Sequence, residues 1–182
     1  MMSPQFDPKA TPKINYVKKV IILGSTGSIG RSTLDVIDQH RHRFDLYAIA
    51  ANSRIDILEK QYFKYSPEYI CVLDEQKGKE LQQKLKKESV HIIIGETDML
   101  AMIAESKSDM VVNAIVGSAG LMASLATIKA GINLALANKE SLVTGGPLFK
   151  RLLKEFGSKL FSIDSEHSAI WQLIGSTDPA HI

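Results

Sequence analysis

Glycines recur at every third position in Gly24-Ser25-Thr26-Gly27-Ser28-Ile29-Gly30, directly after the apolar run Val20-Ile21-Ile22-Leu23 and directly before a helical pattern. Strand, glycine turn and helix start, in that order, can cradle a nucleotide pyrophosphate. Gly24 lets the chain turn sharply, Gly27 removes a Cβ where the pyrophosphate must approach the backbone, and Gly30 lets the helix sit close on the strand. The helix start adds free N–H groups and partial positive charge. The spacing is G-x-x-G-x-x-G rather than the G-x-G-x-x-G of the common NAD fingerprint, and a tight structural turn is the competing reading.

The next loaded segment is Ala51-Asn52-Ser53-Arg54. An NAD enzyme usually ends its second strand on Asp or Glu, which holds both ribose hydroxyls. Asp45 stands at the approximate sequence distance, but it begins the strand and so belongs to the opposite edge of the sheet. No carboxylate is left to repel a 2′-phosphate. Asn52 and Ser53 can donate hydrogen bonds and Arg54 can supply a cation, so the segment favours NADP(H) over NAD(H); the plainer reading of Arg54 is a surface arginine on a loop.

Two further clusters follow apolar runs. Asn138-Lys139-Glu140 closes the run 134–137 with an amide, an ammonium and a carboxylate. The lysine can hold a phosphate or hydroxyl of a small substrate, or the cluster can be a solvated cap on the next helix. Asp164-Ser165-Glu166-His167 follows the run 160–163. In an extended segment, residues two apart point the same way, so both carboxylates can face one Mg²⁺ or Mn²⁺. Spacing alone favours a helix cap by Asp164 or Ser165 over a metal site. Zinc is not expected at His167, because no other Cys or His lies at zinc spacing.

Short β-branched runs at 19–23, 46–50, 69–73, 91–94, 110–115, 133–137 and 160–163 alternate with amphipathic stretches at 29–38, 57–65, 75–87, 99–105, 121–130 and 148–156. Nearly continuous apolar strands are buried on both faces, as parallel strands covered by helices are. The rhythm predicts an α/β fold, a Rossmann-like, doubly wound and mostly parallel sheet with ligands at the carboxyl ends of its strands. Gly95, Gly117, Gly131 and Gly157 fall between the elements as turn residues.

The 182 residues are 45% hydrophobic and 23% charged, with 12 Gly and 6 Pro, which excludes disordered, collagenous and low-complexity chains. The length predicts one domain, or one plus the start of another. A net charge of +2, with no basic block beyond Lys84, Lys86 and Lys87 on a helix shared with Glu80 and Glu88, argues against nucleic acid as a partner. The single Cys71 cannot close an internal disulfide and reads as a buried strand position, which fits a reducing, cytoplasmic setting. No apolar run approaches the roughly 18 residues of a membrane helix. Residues 1–16 carry Pro4, Pro8 and Pro12 and no apolar leader core, and are expected to form a flexible, soluble arm.

Taken together, the glycine turn, Ala114-Ile115-Val116-Gly117-Ser118-Ala119-Gly120, Leu136-Ala137-Asn138-Lys139-Glu140-Ser141-Leu142-Val143 and Asp164-Ser165-Glu166-His167-Ser168-Ala169-Ile170 closely resemble the 1-deoxy-D-xylulose 5-phosphate reductoisomerase family, in the same order along the chain. The resemblance implies an NADPH-dependent oxidoreductase and isomerase of non-mevalonate isoprenoid biosynthesis, forming 2-C-methyl-D-erythritol 4-phosphate with a divalent cation, Mn²⁺, Mg²⁺ or Co²⁺. It implies that Thr26, Gly27, Ser28 and Ile29 contact the cofactor phosphates and that Asn138 and Glu140 also lie on NADPH. It further implies that Lys139, Ser165 and Glu166 bind substrate, with Lys139 and Glu166 catalytic, and that Asp164 and Glu166 are metal ligands. The expected partner is a small phosphorylated sugar, and the full-length protein is expected to be a homodimer.

Two departures from the family pattern stand out. Asn52-Ser53-Arg54 replaces a Gly-Lys-Asn-like segment, moving the cation by one place. The family also continues through a third acidic metal ligand, a covering loop and a C-terminal helical domain. The expected organisation is therefore an arm at 1–16, an NADPH-binding domain at 17–163 and the beginning of a catalytic domain at 164–182, without turnover of its own. The alternatives are an NADP(H)-binding module with no catalysis, and another NADP-dependent dehydrogenase of the semialdehyde or homoserine type. The last lacks the reactive cysteine of the semialdehyde enzymes and leaves Asp-Ser-Glu-His unexplained.

Overall fold

Alternate side chains of β1 (Lys18–Leu23) enter two different cores, Val20 and Ile22 on one face of the sheet and Ile21 and Leu23 on the other. That double burial is why its sequence is apolar without alternation. The structure, a computed structural model, describes residues 16–137 and 139–163. After β1 come α1 (Ser28–Gln39), β2 (Phe44–Ala51), α2 (Ile55–Tyr65), β3 (Tyr69–Val72), α3 (Glu75–Lys84), β4 (His91–Ile94) and α4 (Glu96–Glu105). The second half holds β5 (Met110–Asn113), a 3-10 turn (Gly117–Gly120), α5 (Leu121–Lys129), β6 (Asn133–Leu136), α6 (Lys139–Phe156) and β7 (Leu160–Ser162).

The seven strands form one sheet in the order β4-β3-β2-β1-β5-β6-β7, and every pairing is parallel. From β1 the chain steps outward through β2 and β3 to β4. Leu34 and Ile37 of α1, Leu58 of α2 and Leu81 of α3 pack on one face. It then returns through α4, whose Met99 and Ile103 fill the other face, and enters β5 beside β1. α5 and α6 continue on that second face, where Ile128, Leu134, Phe149 and Leu152 form a third cluster. The strand order thus reverses between β1 and β5, where an open α/β sheet leaves a crevice at its carboxyl edge.

Gly95, Gly117, Gly131 and Gly157 all adopt positive φ, as their turn positions predicted. α6 differs from expectation, since it begins at Lys139 rather than near 148 and runs through Gly145, Gly146 and Pro147. Packing explains the difference at Gly145: a Cβ there would come within 3.0 Å of both Leu121 Cδ1 and Phe149 Cε1. The glycine lets α6 lie close on the start of α5, and that contact outweighs its poor helix propensity.

At the amino edge, the Asp109 carboxylate accepts a 2.7 Å hydrogen bond from the Lys19 N–H and bonds at 3.0 Å from the Tyr16 hydroxyl to each oxygen. The same carboxylate holds the Tyr16 phenol protonated above its ordinary range. Among the described residues, no helix is long and apolar enough to cross a membrane.

Candidate nucleotide-binding site

The turn from β1 into α1 is built on two glycines that the protein itself requires. Gly24 has φ +77°, and a Cβ there would lie 2.6 Å from the Ala114 carbonyl oxygen. A Cβ at Gly30 would run into the Gly24 carbonyl oxygen and approach Ser25 Cα to 2.6 Å. Gly27 is different. Its φ of −78° and ψ of 176° suit any residue, and a Cβ would meet only the Gly24 oxygen at an ordinary 3.4 Å. The fold does not demand glycine at 27; open space above the turn is what its missing side chain provides.

Gly27 is also the N-cap of α1, with no capping side chain and no acidic residue in the first turn. The N–H groups of Ser28, Ile29 and Gly30 begin the helix without intrahelical partners, and the helix dipole adds its positive end at the same place. Such a terminus accepts an anion. The adjoining cleft, about 190 Å³, is lined by Gly24, Thr26 and Gly27 on one side, by Asn52 at the end of β2, and by Ile115 and Val116 after β5. Ala50, Ala51, Leu73 and Ala114 make the rest of an apolar wall suited to a flat ring. Val116, 88% exposed, forms its rim.

Asn52 and Arg54 are exposed and Ser53 half-buried where β2 passes into α2. Their backbones are fixed: the Asp74 N–H donates to the Asn52 carbonyl at 3.0 Å, Ile55 to Ser53 at 2.9 Å, and Leu58 to Arg54 at 3.2 Å. Asp45 lies exposed near the start of β2, at the opposite edge from the cleft. The cleft therefore combines an uncapped helix N-terminus, a Cβ-free approach and no carboxylate from the β2–α2 segment. Those features fit a dinucleotide that carries a 2′-phosphate.

Lys139 and Glu140 open α6, one strand beyond the cleft, and Glu140 is exposed. Asn138, Asp164, Ser165 and Glu166 lie outside the described residues. Among the described residues, no group of three or more His, Cys, Asp or Glu is placed to hold a metal ion.

Two buried polar residues missed by the sequence reading, Gln61 and Asn113, brace the loops beside the cleft. Ser25, fully buried, donates its hydroxyl to Gln61 Oε1 at 2.7 Å, and Gln61 Nε2 donates back to the Ser25 carbonyl at 2.9 Å. Asn113, also fully buried, donates through Nδ2 to the Gly120 carbonyl at 2.7 Å and to Ser124 Oγ at 2.8 Å, and its Oδ1 accepts from the Ile115 N–H at 3.2 Å. A signal was present for each: Gln61 stands three residues after Leu58 on the apolar stripe of α2, and Asn113 ends an otherwise apolar strand.

Comparison with known proteins agrees with this geometry. The family model described as 1-deoxy-D-xylulose 5-phosphate reductoisomerase matches residues 20–146. The chain belongs to this family. A 1-deoxy-D-xylulose 5-phosphate reductoisomerase of Geotalea uraniireducens is 47% identical over 156 residues, covering 86% of this chain and 40% of its own length. Among solved structures, the reductoisomerase from Zymomonas mobilis in complex with NADPH is 38% identical at a TM-score of 0.80, over 86% of this chain and 41% of that one. A reductoisomerase in complex with NADPH, fosmidomycin and magnesium is 39% identical at 0.81, over 86% of this chain and 38% of that one. The chain spans about 40% of the length of the reductoisomerases it matches, and the seven-stranded parallel sheet is the Rossmann-like architecture it shares with them.

Proposed function

We propose that this chain supplies the NADPH-binding part of a reductoisomerase that rearranges the carbon skeleton of 1-deoxy-D-xylulose 5-phosphate and reduces the product to 2-C-methyl-D-erythritol 4-phosphate. The observation that carries the reading is the cleft between β1 and β5, with a free helix N-terminus at Gly27 and no carboxylate at the end of β2. NADPH, when bound, supplies the hydride. The turn at Thr26, Gly27, Ser28 and Ile29 would hold the pyrophosphate through backbone N–H groups, while Asn52, Ser53 and Arg54 would take the 2′-phosphate. The wall formed by Leu73, Ile115 and Val116 would shield one side of a bound nucleotide.

Asn138 and Glu140 are assigned to the cofactor and Lys139 to the substrate, where its ammonium would hold a phosphate or hydroxyl. Ser165 and Glu166 are assigned to the substrate as well. Asp164 and Glu166, two hard oxygen donors, suit Mg²⁺, Mn²⁺ or Co²⁺ and need further oxygens to complete a site. A cation of that kind supplies Lewis-acid polarisation of substrate oxygens. The same reading divides the chain into an arm at 1–16, a nucleotide-binding domain at 17–163 and the opening of a catalytic domain from 164, and takes the complete protein as a cytoplasmic homodimer.

Calorimetry of the 182-residue chain with NADPH and with NADH tests the reading. A hydrogen bond to a charged group is worth about 1.5 to 3 kcal/mol, and an exposed ion pair about 0 to 1. An intermediate value at this open edge gives NADPH a preference of roughly tenfold. Arg54→Ala should weaken NADPH and leave NADH unchanged. Equal affinities, or tighter NADH, would overturn the 2′-phosphate assignment.

A further inference from the structure

Gln61 is 7% exposed and spends both ends of its amide on one residue, Ser25 in the glycine turn. Position 61 belongs to the buried stripe of α2 with Ile55 and Leu58, where an apolar side chain would fill the space without the cost of burying an amide. What the amide adds is a fixed spacing. Two hydrogen bonds at 2.7 and 2.9 Å, in opposite directions between the same two residues, hold α2 to the backbone of the turn at one distance. Ser25 is held from the strand side as well, since its N–H and that of Gly24 both donate to the Ala50 carbonyl at 2.9 Å.

The other end of α2 carries the segment that would read the 2′-phosphate. Arg54 is the N-cap of α2, and its carbonyl accepts from the Ile57 and Leu58 N–H groups at 3.2 Å. Ser53 and Arg54, whose carbonyls accept from N–H groups of α2, therefore move with the first turn of the helix, about 10 Å along its axis from Gln61. A nucleotide held at both its pyrophosphate and its 2′-phosphate bridges the two parts that the Gln61–Ser25 pair locks together.

We propose that Gln61 is a positioning residue for nucleotide choice: through Ser25 it sets the distance between the pyrophosphate-binding turn and the Asn52–Arg54 segment. It touches neither phosphate itself. The proposal rests on the NADPH reading of the cleft. NADH shares the turn and the apolar wall but has no 2′-phosphate for Asn52–Arg54 to hold, so loosening the clamp costs NADPH more than NADH.

The test is calorimetric titration of the 182-residue chain and two variants with NADPH and with NADH, at a temperature where circular dichroism shows each protein folded. Gln61→Met keeps an unbranched side chain of similar length and removes both hydrogen bonds; Ser25→Ala removes one of them from the other side. For Gln61→Met the expected result is about tenfold weaker NADPH with less than about threefold change for NADH. Ser25→Ala should shift the NADPH to NADH ratio in the same direction, and the double variant should add little to Gln61→Met. Equal losses for the two nucleotides would make Gln61 a purely structural residue and overturn the proposal, as would unchanged affinity for both. If Gln61→Met does not fold, Ser25→Ala carries the same comparison with the same two outcomes. A failure of the cofactor reading looks different: the unsubstituted chain would then bind neither nucleotide or would favour NADH, and the clamp would fall with it.

Discussion

A Cβ on Gly24 would stand 2.6 Å from the carbonyl oxygen of Ala114. The loop after β1 and the loop after β5 are thus in backbone contact at the floor of the cleft, and a side chain at 24 would push its two walls apart. Gly24→Ala adds that collision to the strain of an L-residue at φ +77°. The left-handed conformation costs about 1 to 2 kcal/mol and overpacking typically about 1 to 3. The expected loss of stability is therefore roughly 2 to 5 kcal/mol, read as a lower urea midpoint; a midpoint equal to that of the unsubstituted chain would show that the two loops are not in contact.

Gly27→Ala should separate folding from binding. Its backbone conformation is open to alanine and its Cβ has ordinary room, so stability should change by no more than about 1 kcal/mol, the scale of an N-cap substitution. NADPH affinity should fall at least tenfold, because the new methyl occupies the approach of the pyrophosphate. Retained NADPH affinity in a stable Gly27→Ala protein would remove the turn from the phosphate site.

The contrast between these glycines marks the limit of what the sequence could say. All three were legible as one turn, because a strand ran into them and a helix out. Only the packing distances distinguish Gly24 and Gly30, required by the protein's own backbone, from Gly27, whose space is left for something else. The strands were legible because double burial writes a continuous apolar run, whereas the first half of α6 was not, because Gly145-Gly146-Pro147 reads locally as a break. Its reason for being helical lies on α5, at Leu121, some twenty residues away in sequence. Gln61 and Asn113 were hidden similarly: each pairs with a group on a different element or loop, and composition does not encode such pairings.

Asn113 is expected to be sensitive to loss of its N–H groups. Asn113→Asp preserves shape but offers no donor to the Gly120 carbonyl or to Ser124 Oγ. Leaving buried partners unsatisfied costs about 1 to 3 kcal/mol, more where a charge is involved. Urea denaturation at neutral pH should show a loss of at least that size with an unchanged slope, and a variant as stable as the unsubstituted chain would mean that Asn113 does not organise the β5–α5 loop.

Burial pushes the Cys71 thiol from its ordinary 9.0 up to about 12. The folded state thus keeps the proton that the unfolded chain releases above pH 9. This contribution to stability is fully present below pH 9 and is lost as pH rises from there toward about 12. Tyr47, raised by desolvation and by its bond to Tyr69, acts in the same direction, so the Cys71 part is isolated by difference. Between pH 9 and 10.5, the urea midpoint of Cys71→Ala should fall less steeply than that of the unsubstituted chain. Parallel slopes would show a thiol that ionises as readily in the folded state as in the unfolded one.

The placement of β1 between β2 and β5 also sets a timetable. The Lys19 N–H finds its Asp109 partner 90 residues downstream, so a chain emerging from the ribosome can pair β1 with β2, and then β3 and β4, while the far edge of β1 is still open. At about 5 to 20 residues per second, that edge waits roughly 5 to 18 seconds for β5. An apolar central strand with unpaired backbone groups is a template for wrong partners. Nor can a nucleotide shorten the wait, because the wall of its cleft formed by Ala114, Ile115 and Val116 is still unsynthesised.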